Sequence, residues 1–462
     1  MPSRPRNKGG PIAMRLLRFL LTTVCIFALF ALPAGAKDLK SFYTLDESIR
    51  EAIANNWSLK AKEEKVAQAL YAKKQARADF LPKLALTYGY TRLDEQKKSD
   101  PVSLGAGLTI PGKELNSRDN YQLKLTVTQP VFTGFALMSS YELARLGIDR
   151  SKLEVAQEKL DLARRVKEAY FGVLKADKAL EVAKRAVESL ESNVKVAQSF
   201  YKVGMIPVND LLKAEVELAN ARQNQVKAAN AARLARSTFN IVLSRPIDAP
   251  VDVEDVLGYL PERGEFEAYL QQALERRPEI QAIDVSIRQV DQQVRLARSK
   301  NFPEIALTYN YIREGDDPDV SGSEFHDRSR WEAMAVLSWE LWSWGKTHYS
   351  VREKETLRRE LFRTRSALVD GIRLELKDAL LALDEAEKNI PTTKMAVEQG
   401  EENLRVNEER YKAQVTTITE VLDAQTLLTQ ARTNYYNSLY DHHLARARLE
   451  RALGILPHRG MR

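Results

Sequence analysis

Cysteine is nearly absent from this chain of 462 residues: the single one, Cys25, lies inside an apolar run close to the N-terminus. Residues 37–462 therefore hold no thiol, which excludes disulfides and thiolate metal sites there. Histidine is scarce as well. His326 falls in a polar segment, His348 at a helix start and His458 in the tail, while His442 and His443 are adjacent on one helix and do not share a face. That set does not converge on a metal or on a proton-transfer site. Glycine-rich phosphate cradles and nucleophile elbows are also missing, so neither an enzyme nor a bound cofactor is expected. Basic stripes interleaved with aromatics are lacking too, and no nucleic acid is expected as a partner.

What acid-free sequence there is lies at the start. Residues 1–36 carry Arg4, Arg6, Lys8, Arg15 and Arg18 without a carboxylate, then an apolar run over residues 19–32, then Ala34, Gly35 and Ala36. This is the three-part plan of a secretory signal peptide, with cleavage expected after Ala36. The run is about 14 residues long, short of the about 20 that a spanning helix needs. Met14 would start a more compact signal than Met1. The formal net charge of the whole chain is +7, and losing these five basic residues leaves +2, so the basic balance belongs largely to the export signal.

Beyond the signal, one unit occurs twice. At an offset of 221 residues Pro82 faces Pro303 and Leu86-Thr87-Tyr88 faces Leu307-Thr308-Tyr309. Further on the offset becomes 210: Tyr201-Lys202 faces Tyr411-Lys412, and Ala221-Arg222 faces Ala431-Arg432. The extra residues of the first copy lie between Arg92 and Tyr121. A linker with Pro246, Pro250 and Pro261 divides the chain into repeats 37–257 and 258–462.

Each copy changes period in the same order. A heptad seam runs through Val173, Ala176, Leu180, Ala183, Val187, Leu190, Val194, Ala197 and Tyr201, and again through Leu376, Ala379, Leu383, Ala386, Ile390, Val397, Leu404 and Tyr411, where Thr393, Gly400 and Asn407 weaken one side. Residues 137–203 contain no proline, and as one helix they would reach about 100 Å. Pro391 predicts a bend in the second long helix. Ahead of each long helix lie two period-two segments, residues 84–91 with 121–128 and residues 305–311 with 331–337, each pair a hairpin closed by a long polar loop. Strands of roughly 9 to 11 residues span a bilayer in a tilted barrel. Tyr90, Tyr121, Tyr311 and Trp331 gather near one end and Phe132, Trp339, Trp342 and Trp344 near the other, in the manner of paired aromatic girdles. Four strands do not close a spanning barrel, which starts at about eight. Several chains must contribute, and the residues do not choose between three and four.

This order of elements resembles the TolC-like outer-membrane factors, the outer membrane efflux protein family. The more specific pieces are Gln129-Pro130-Val131-Phe132-Thr133-Gly134 at the handover from strand to helix, and the two helical turns at residues 201–212 and 411–424. The resemblance implies a mainly α fold with a small β portion: long antiparallel coiled-coil helices and four transmembrane strands per chain, assembled as a homotrimer with a 12-strand barrel and a 12-helix periplasmic tunnel. It implies an exit duct in the Gram-negative outer membrane, in contact with its lipid, for efflux or type I secretion. Cargo would be driven by an inner-membrane pump or ABC transporter through a periplasmic adaptor. A coiled-coil adaptor is the rival reading; it would need one hairpin flanked by lipoyl-like and barrel segments, where this chain has two hairpins and two strand pairs. By the same resemblance Glu420 and Asp423 form a periplasmic constriction, Asp210 and Tyr411 a closed-state tether, and Val203, Gly204 and Met205 the adaptor contact. Thr416 stands where relatives place an arginine of that tether. Residues 93–119 and 314–330 are expected outside the cell, since outer-membrane barrels put their longer loops there.

Overall fold

A computed structural model describes residues 41–105, 109–256 and 264–455. The signal peptide over residues 1–36 and the boundary at 257/258 lie outside these residues.

The short helices come first. Strand β1 (Phe42–Tyr43) leads into α1 (Leu45–Asn55), opened by a capping box in which Thr44 Oγ1 accepts from the Glu47 N–H and the Thr44 N–H donates to Glu47. Asn56 ends it and caps α2 (Trp57–Ala78), accepting from the Ser58 and Leu59 N–H groups. Strands β2 (Lys83–Arg92) and β5 (Asp119–Thr133) then flank a loop with a small hairpin, β3 (Val102–Ser103) with β4 (Thr109–Ile110). Helix α3 (Ala136–Lys202) has 67 residues, about 100 Å. Helix α4 (Val208–Val242) returns over 35. After β6 (Asp252–Val253), parallel to β1, the second copy follows: α5 (Phe266–Arg276), α6 (Pro278–Arg298), β7 (Glu304–Gly315), β8 (Arg330–Ser338), α7 (Lys346–Lys412) and α8 (Ile418–Ala452). Helices α7 and α8 have the same 67 and 35 residues.

The repeat extends to backbone conformations that residue identity conceals. Left-handed φ angles occur at Gly134 and Phe135, which open α3, and 210 residues on at Trp344 and Gly345, which open α7. Gly204 (φ 74°) matches Gln414 (φ 60°) at the two helical turns, and Ser244 (φ 58°) matches Gly454 (φ 68°) after the return helices. Phe135, Trp344, Gln414 and Ser244 adopt a conformation that non-glycine residues normally avoid. The turn geometry is common to both copies, although the glycine moves.

Helix α3 packs along α4, α2, α6 and α8, and α7 along α8 and α6. One core forms where the short helices meet the middle of α3, around Tyr43, Leu59, Leu162, Val166, Tyr170, Phe239 and Tyr440. A second lies between the hairpins near their tips, with Leu190, Val194, Ala214, Leu404, Ile418, Val421 and Leu428. Val173, Val187, Leu190 and Val194 of the first heptad seam and Leu376, Ala379, Leu383, Leu404 and Tyr411 of the second are buried in these clusters and in a third around Leu270, Ile372 and Leu449. The two copies are also tied by charge, for Arg451 on α8 donates to Asp161 (2.9 Å) of the first, while within the second it donates to Glu279 (2.8 Å) and Glu375 (2.9 Å), and Arg277 donates to Glu375 (2.6 Å).

Two expectations change. Strand β5 runs through the handover segment to Thr133, because pairing with β7 continues past a register shift between Pro130 and Phe132. A proline that cannot donate to the ladder is accommodated at such an irregularity. Strand β7 likewise reaches Gly315, inside the range expected as loop. Helix α7 passes through Pro391 without ending.

Candidate functional site

The four long strands form one antiparallel sheet in the order β2-β5-β7-β8, which sets the two hairpins side by side. Register fixes its faces. Leu84, Leu86, Tyr88 and Tyr90 lie opposite Val127, Leu125, Leu123 and Tyr121, and these pair on with Tyr309, Tyr311 and the rest of β7. The opposite face carries Thr87, Lys124, Thr126, Thr308, Asn310 and Glu332.

Burial on this sheet is the reverse of a soluble protein's. Leu84 is 70 % and Trp331 68 % exposed, whereas Asn310 on the polar face is 2 % exposed. Thr126 Oγ1 donates to Asn310 Oδ1 (2.8 Å), and Asn310 Nδ2 donates to Glu332 (2.7 Å), a polar ladder across three strands. Toward the loops Gln122 and Arg330 both donate to Glu314, at 2.5 and 2.8 Å. Leu84, Leu86, Leu307 and Leu337 are all exposed. At roughly 1.5–3 kcal/mol for each such side chain left in water, they would forfeit on the order of 6–12 kcal/mol, as much as a domain's whole stability. An apolar medium removes that cost.

Aromatics mark the ends of this face. Tyr90 stacks on Tyr121 at 4.7 Å between ring centres and Tyr309 on Trp331 at 6.2 Å. At the other end Phe132 meets Phe135 at 5.4 Å and Phe135 meets Phe302 at 5.8 Å. Along β5 the span from Tyr121 to Phe132 is about 36 Å at 3.3 Å per residue. A tilt near 45° reduces this to about 25 Å, the height of the apolar band of an outer-membrane barrel.

The far ends of the hairpins are the second part of the site. Gly204 makes the α3–α4 turn at its positive φ, with nothing within 4 Å of where a Cβ would stand. Beside it Val203 is 68 % and Met205 52 % exposed. Val415 is exposed at the other turn. Glu420 and Asp423 are both exposed in the first turns of α8, three residues apart and so on one side of it. Asp423 lines a groove between α4 and α8 with Asn209, Leu212, Lys213 and Thr426.

Asp210 and Tyr411 are brought near each other but not into the expected bond. Tyr411 is 5 % exposed, its ring against Phe200, and its hydroxyl has no hydrogen-bond partner among the described residues. Burial, and secondarily the Asp210 charge, push the phenol pKa up. The reason lies in packing: the seam between α7 and α8 holds the ring among Leu404, Ile418 and Val421. Its counterpart Tyr201 is 43 % exposed. Sequence reasoning did not separate the two tyrosines, because which hairpin side is covered depends on the α3–α8 contact.

Such a sheet, exposing its apolar face and sheltering its polar one above two long helical hairpins, defines a membrane-channel subunit. The chain belongs to the outer membrane efflux protein family, whose model matches residues 48–240 and 269–455. It is 23 % identical to outer membrane protein TolC of Vibrio cholerae over 403 residues, covering 84 % of this chain and 85 % of that one. It is 25 % identical to the alkaline protease secretion protein AprF of Pseudomonas aeruginosa over 401 residues, covering 82 % and 78 %. The fold matches the CmeC outer membrane channel of Campylobacter jejuni with a TM-score of 0.76 at 17 % identity, over 89 % of this chain and 85 % of that one. Family and fold alike are those of outer-membrane channels of Gram-negative bacteria, and the chain is an outer-membrane exit duct.

Proposed function

We propose that three copies of this chain close one duct, and that the duct carries cargo without chemistry of its own. The inverted sheet carries this reading. Its outer strands β2 and β8 have each one free edge, and in hydrocarbon every unpaired backbone group costs several kcal/mol, so the edges of neighbouring chains must pair. Three copies give 12 strands. The two repeats, 37–257 and 258–462, each supply one hairpin to the barrel and one to the tunnel.

The hairpin tips are the periplasmic entrance. Val203, Gly204 and Met205 meet the adaptor, being apolar, exposed and set on a tight turn. Closure brings the Tyr411 hydroxyl onto the Asp210 carboxylate, and Glu420 and Asp423 narrow the mouth. An inner-membrane pump or ABC transporter supplies the energy. The relatives serve protease secretion in one case and, in CzcC of Cupriavidus metallidurans, cobalt-zinc-cadmium resistance, so the family does not dictate one cargo.

Cross-linking tests the closure. The exported chain lacks cysteine, so cysteines placed along Leu84, Leu86 and Tyr88 on β2 and along Ala333, Ala335 and Leu337 on β8 report only contacts between copies. Oxidation of outer membranes should give a ladder that stops at three chains. A protein that stays monomeric for every pair, or fractionates with the soluble periplasm, contradicts the reading.

A further inference from the structure

Five arginines from three helices converge just below the membrane sheet. A groove of about 390 Å³, within the size range of small-molecule sites, is lined by Arg145 of α3, Arg288, Arg295 and Arg298 of α6 and Arg358 of α7, with Glu142 and Asp291 as its acids among the described residues. Three of the guanidinium groups have carboxylates: Arg145 pairs with Glu142 (2.8 Å), Arg358 with Asp291 (3.1 Å) and Arg298 with Glu355 (2.8 Å). Arg288 and Arg295 have no ion pair or side-chain hydrogen bond among the described residues. Both are exposed, and at seven residues apart they stand on one side of α6. A cation in the last turn of a helix complements its dipole, which accounts for Arg295 and Arg298. It does not account for Arg288, two turns earlier.

The groove opens on the lipid side of the molecule. Phe132 pairs with Ile305 on the apolar face of the sheet, and its ring touches Phe135, which touches Phe302. Phe135 opens α3, and Met138, Glu142 and Arg145 follow it on the same side of that helix at three- and four-residue steps. The exposed apolar surface of Phe135, Met138 and Phe302 therefore runs directly into the arginines. Arg298 ends α6 and β7 starts at Glu304, which sets the upper arginines at the level of the inner-leaflet headgroups.

We propose that this groove binds the phosphate of an anionic phospholipid of the inner leaflet, with Arg295 as the free guanidinium donor at headgroup level, Arg288 about 15 Å below the end of α6 adding its charge to the field that draws the anion in, and the phenylalanine belt against the acyl chains. The proposal rests on the outer-membrane location and on the direction of the apolar face. Guanidinium forks match phosphate oxygens in pairs, and basic residues close to an anionic membrane surface attract its headgroups. The bound lipid would fix the height of the channel in the bilayer.

The test uses the full-length channel in nanodiscs containing phosphatidylglycerol and phosphatidylcholine, with retained lipid counted by native mass spectrometry. Wild type should retain phosphatidylglycerol over phosphatidylcholine by on the order of tenfold, given the contribution expected of each basic residue at an anionic surface. The Arg288→Gln, Arg295→Gln double variant should lose that preference while keeping its conductance in planar bilayers. Equal retention in the wild type, or a preference that survives in the double variant, overturns the proposal. So does displacement of the lipid by glycerol phosphate at equal concentration, which would mark a site for free anions. Loss of conductance in the wild type would instead strike at the channel itself.

Discussion

Tyr411 and His443 show how a single buried group responds to its surroundings. A buried hydroxyl without a partner costs about 1–3 kcal/mol, and the Tyr411 hydroxyl is in that condition in the isolated chain. If closure of the entrance supplies Asp210 as acceptor, Tyr411→Phe removes the tether and should raise single-channel conductance; a variant no more open than the wild type would remove the tether from the account. His443 lies against Phe171, the rings 4.6 Å apart and nearly parallel. Burial, then the neighbouring His442 and Arg446, lower its pKa from 6.5 to about 4. Between these values the unfolded chain binds the extra proton and the folded chain does not. Stability from this group is thus complete above about pH 6.5 and is lost as pH falls toward about 4. Heat resistance of the assembled channel, followed from pH 7 to pH 4, should decline over that window, and less steeply in His443→Gln. Parallel slopes would assign the decline to other groups. The histidine pair was legible as two residues on different sides of a helix; the aromatic partner across the α3–α8 contact was not, since it lies more than 270 residues away in sequence.

At the scale of elements, the heptads announced the two long helices because their apolar step of three and four residues survives even where Thr393, Gly400 and Asn407 interrupt it. Gly400 still serves the seam, for a Cβ there would stand 3.4 Å from Leu428 Cα, so the helices approach closely at that point. The end of β5 was not legible, since Pro130 reads as a stop until its irregular pairing with β7 is known. Nor were the turns at Phe135, Trp344, Gln414 and Ser244, whose residue types argue against the φ angles they adopt. Pro391 is the clearest conflict between local preference and fold. It removes one rung from the α7 ladder, while the hydroxyls of Thr392 and Thr393 donate to the carbonyls of Lys388, Asn389 and Ile390 around it. A proline inside a helix costs about 3 kcal/mol relative to alanine, part of which the packing of the seam offsets, since these hydroxyls fall on carbonyls beside that of Glu387 and not on it. Pro391→Ala should therefore raise the melting temperature of the channel, by the equivalent of about 1–3 kcal/mol per chain. An unchanged or lower melting temperature would show that the proline is fully accommodated.

For the whole molecule, symmetry gives meaning to side chains that do little in one chain. The class of fold was readable before any coordinates, because period two, period three-and-a-half and the aromatic girdles occur twice in one order. The arginine groove was not, as its members are scattered from Arg145 to Arg358 and nothing local links them. Glu420 and Asp423 fall between these cases: their spacing put them on one side of α8, and the structure leaves both exposed with no ion-pair or side-chain hydrogen-bond partner among the described residues. An acid in the first turn of a helix, as Glu420 is, favours its dipole by about 0.3–1 kcal/mol, and Asp423, one turn further on, gains less. Threefold symmetry would multiply them into two stacked acidic rings at the mouth of the tunnel, where charges of one sign attract and hold cations. Thr416 adds no positive charge to offset them. Multivalent cations added on the periplasmic side in planar bilayers should then block current, more weakly at high salt as screening shortens the reach of the field. Replacing Glu420 and Asp423 together with alanine should relieve most of the block, while either single change relieves it in part. Block of undiminished strength in the double variant would mean that the cation binds elsewhere along the duct and that these two acids serve only their helix.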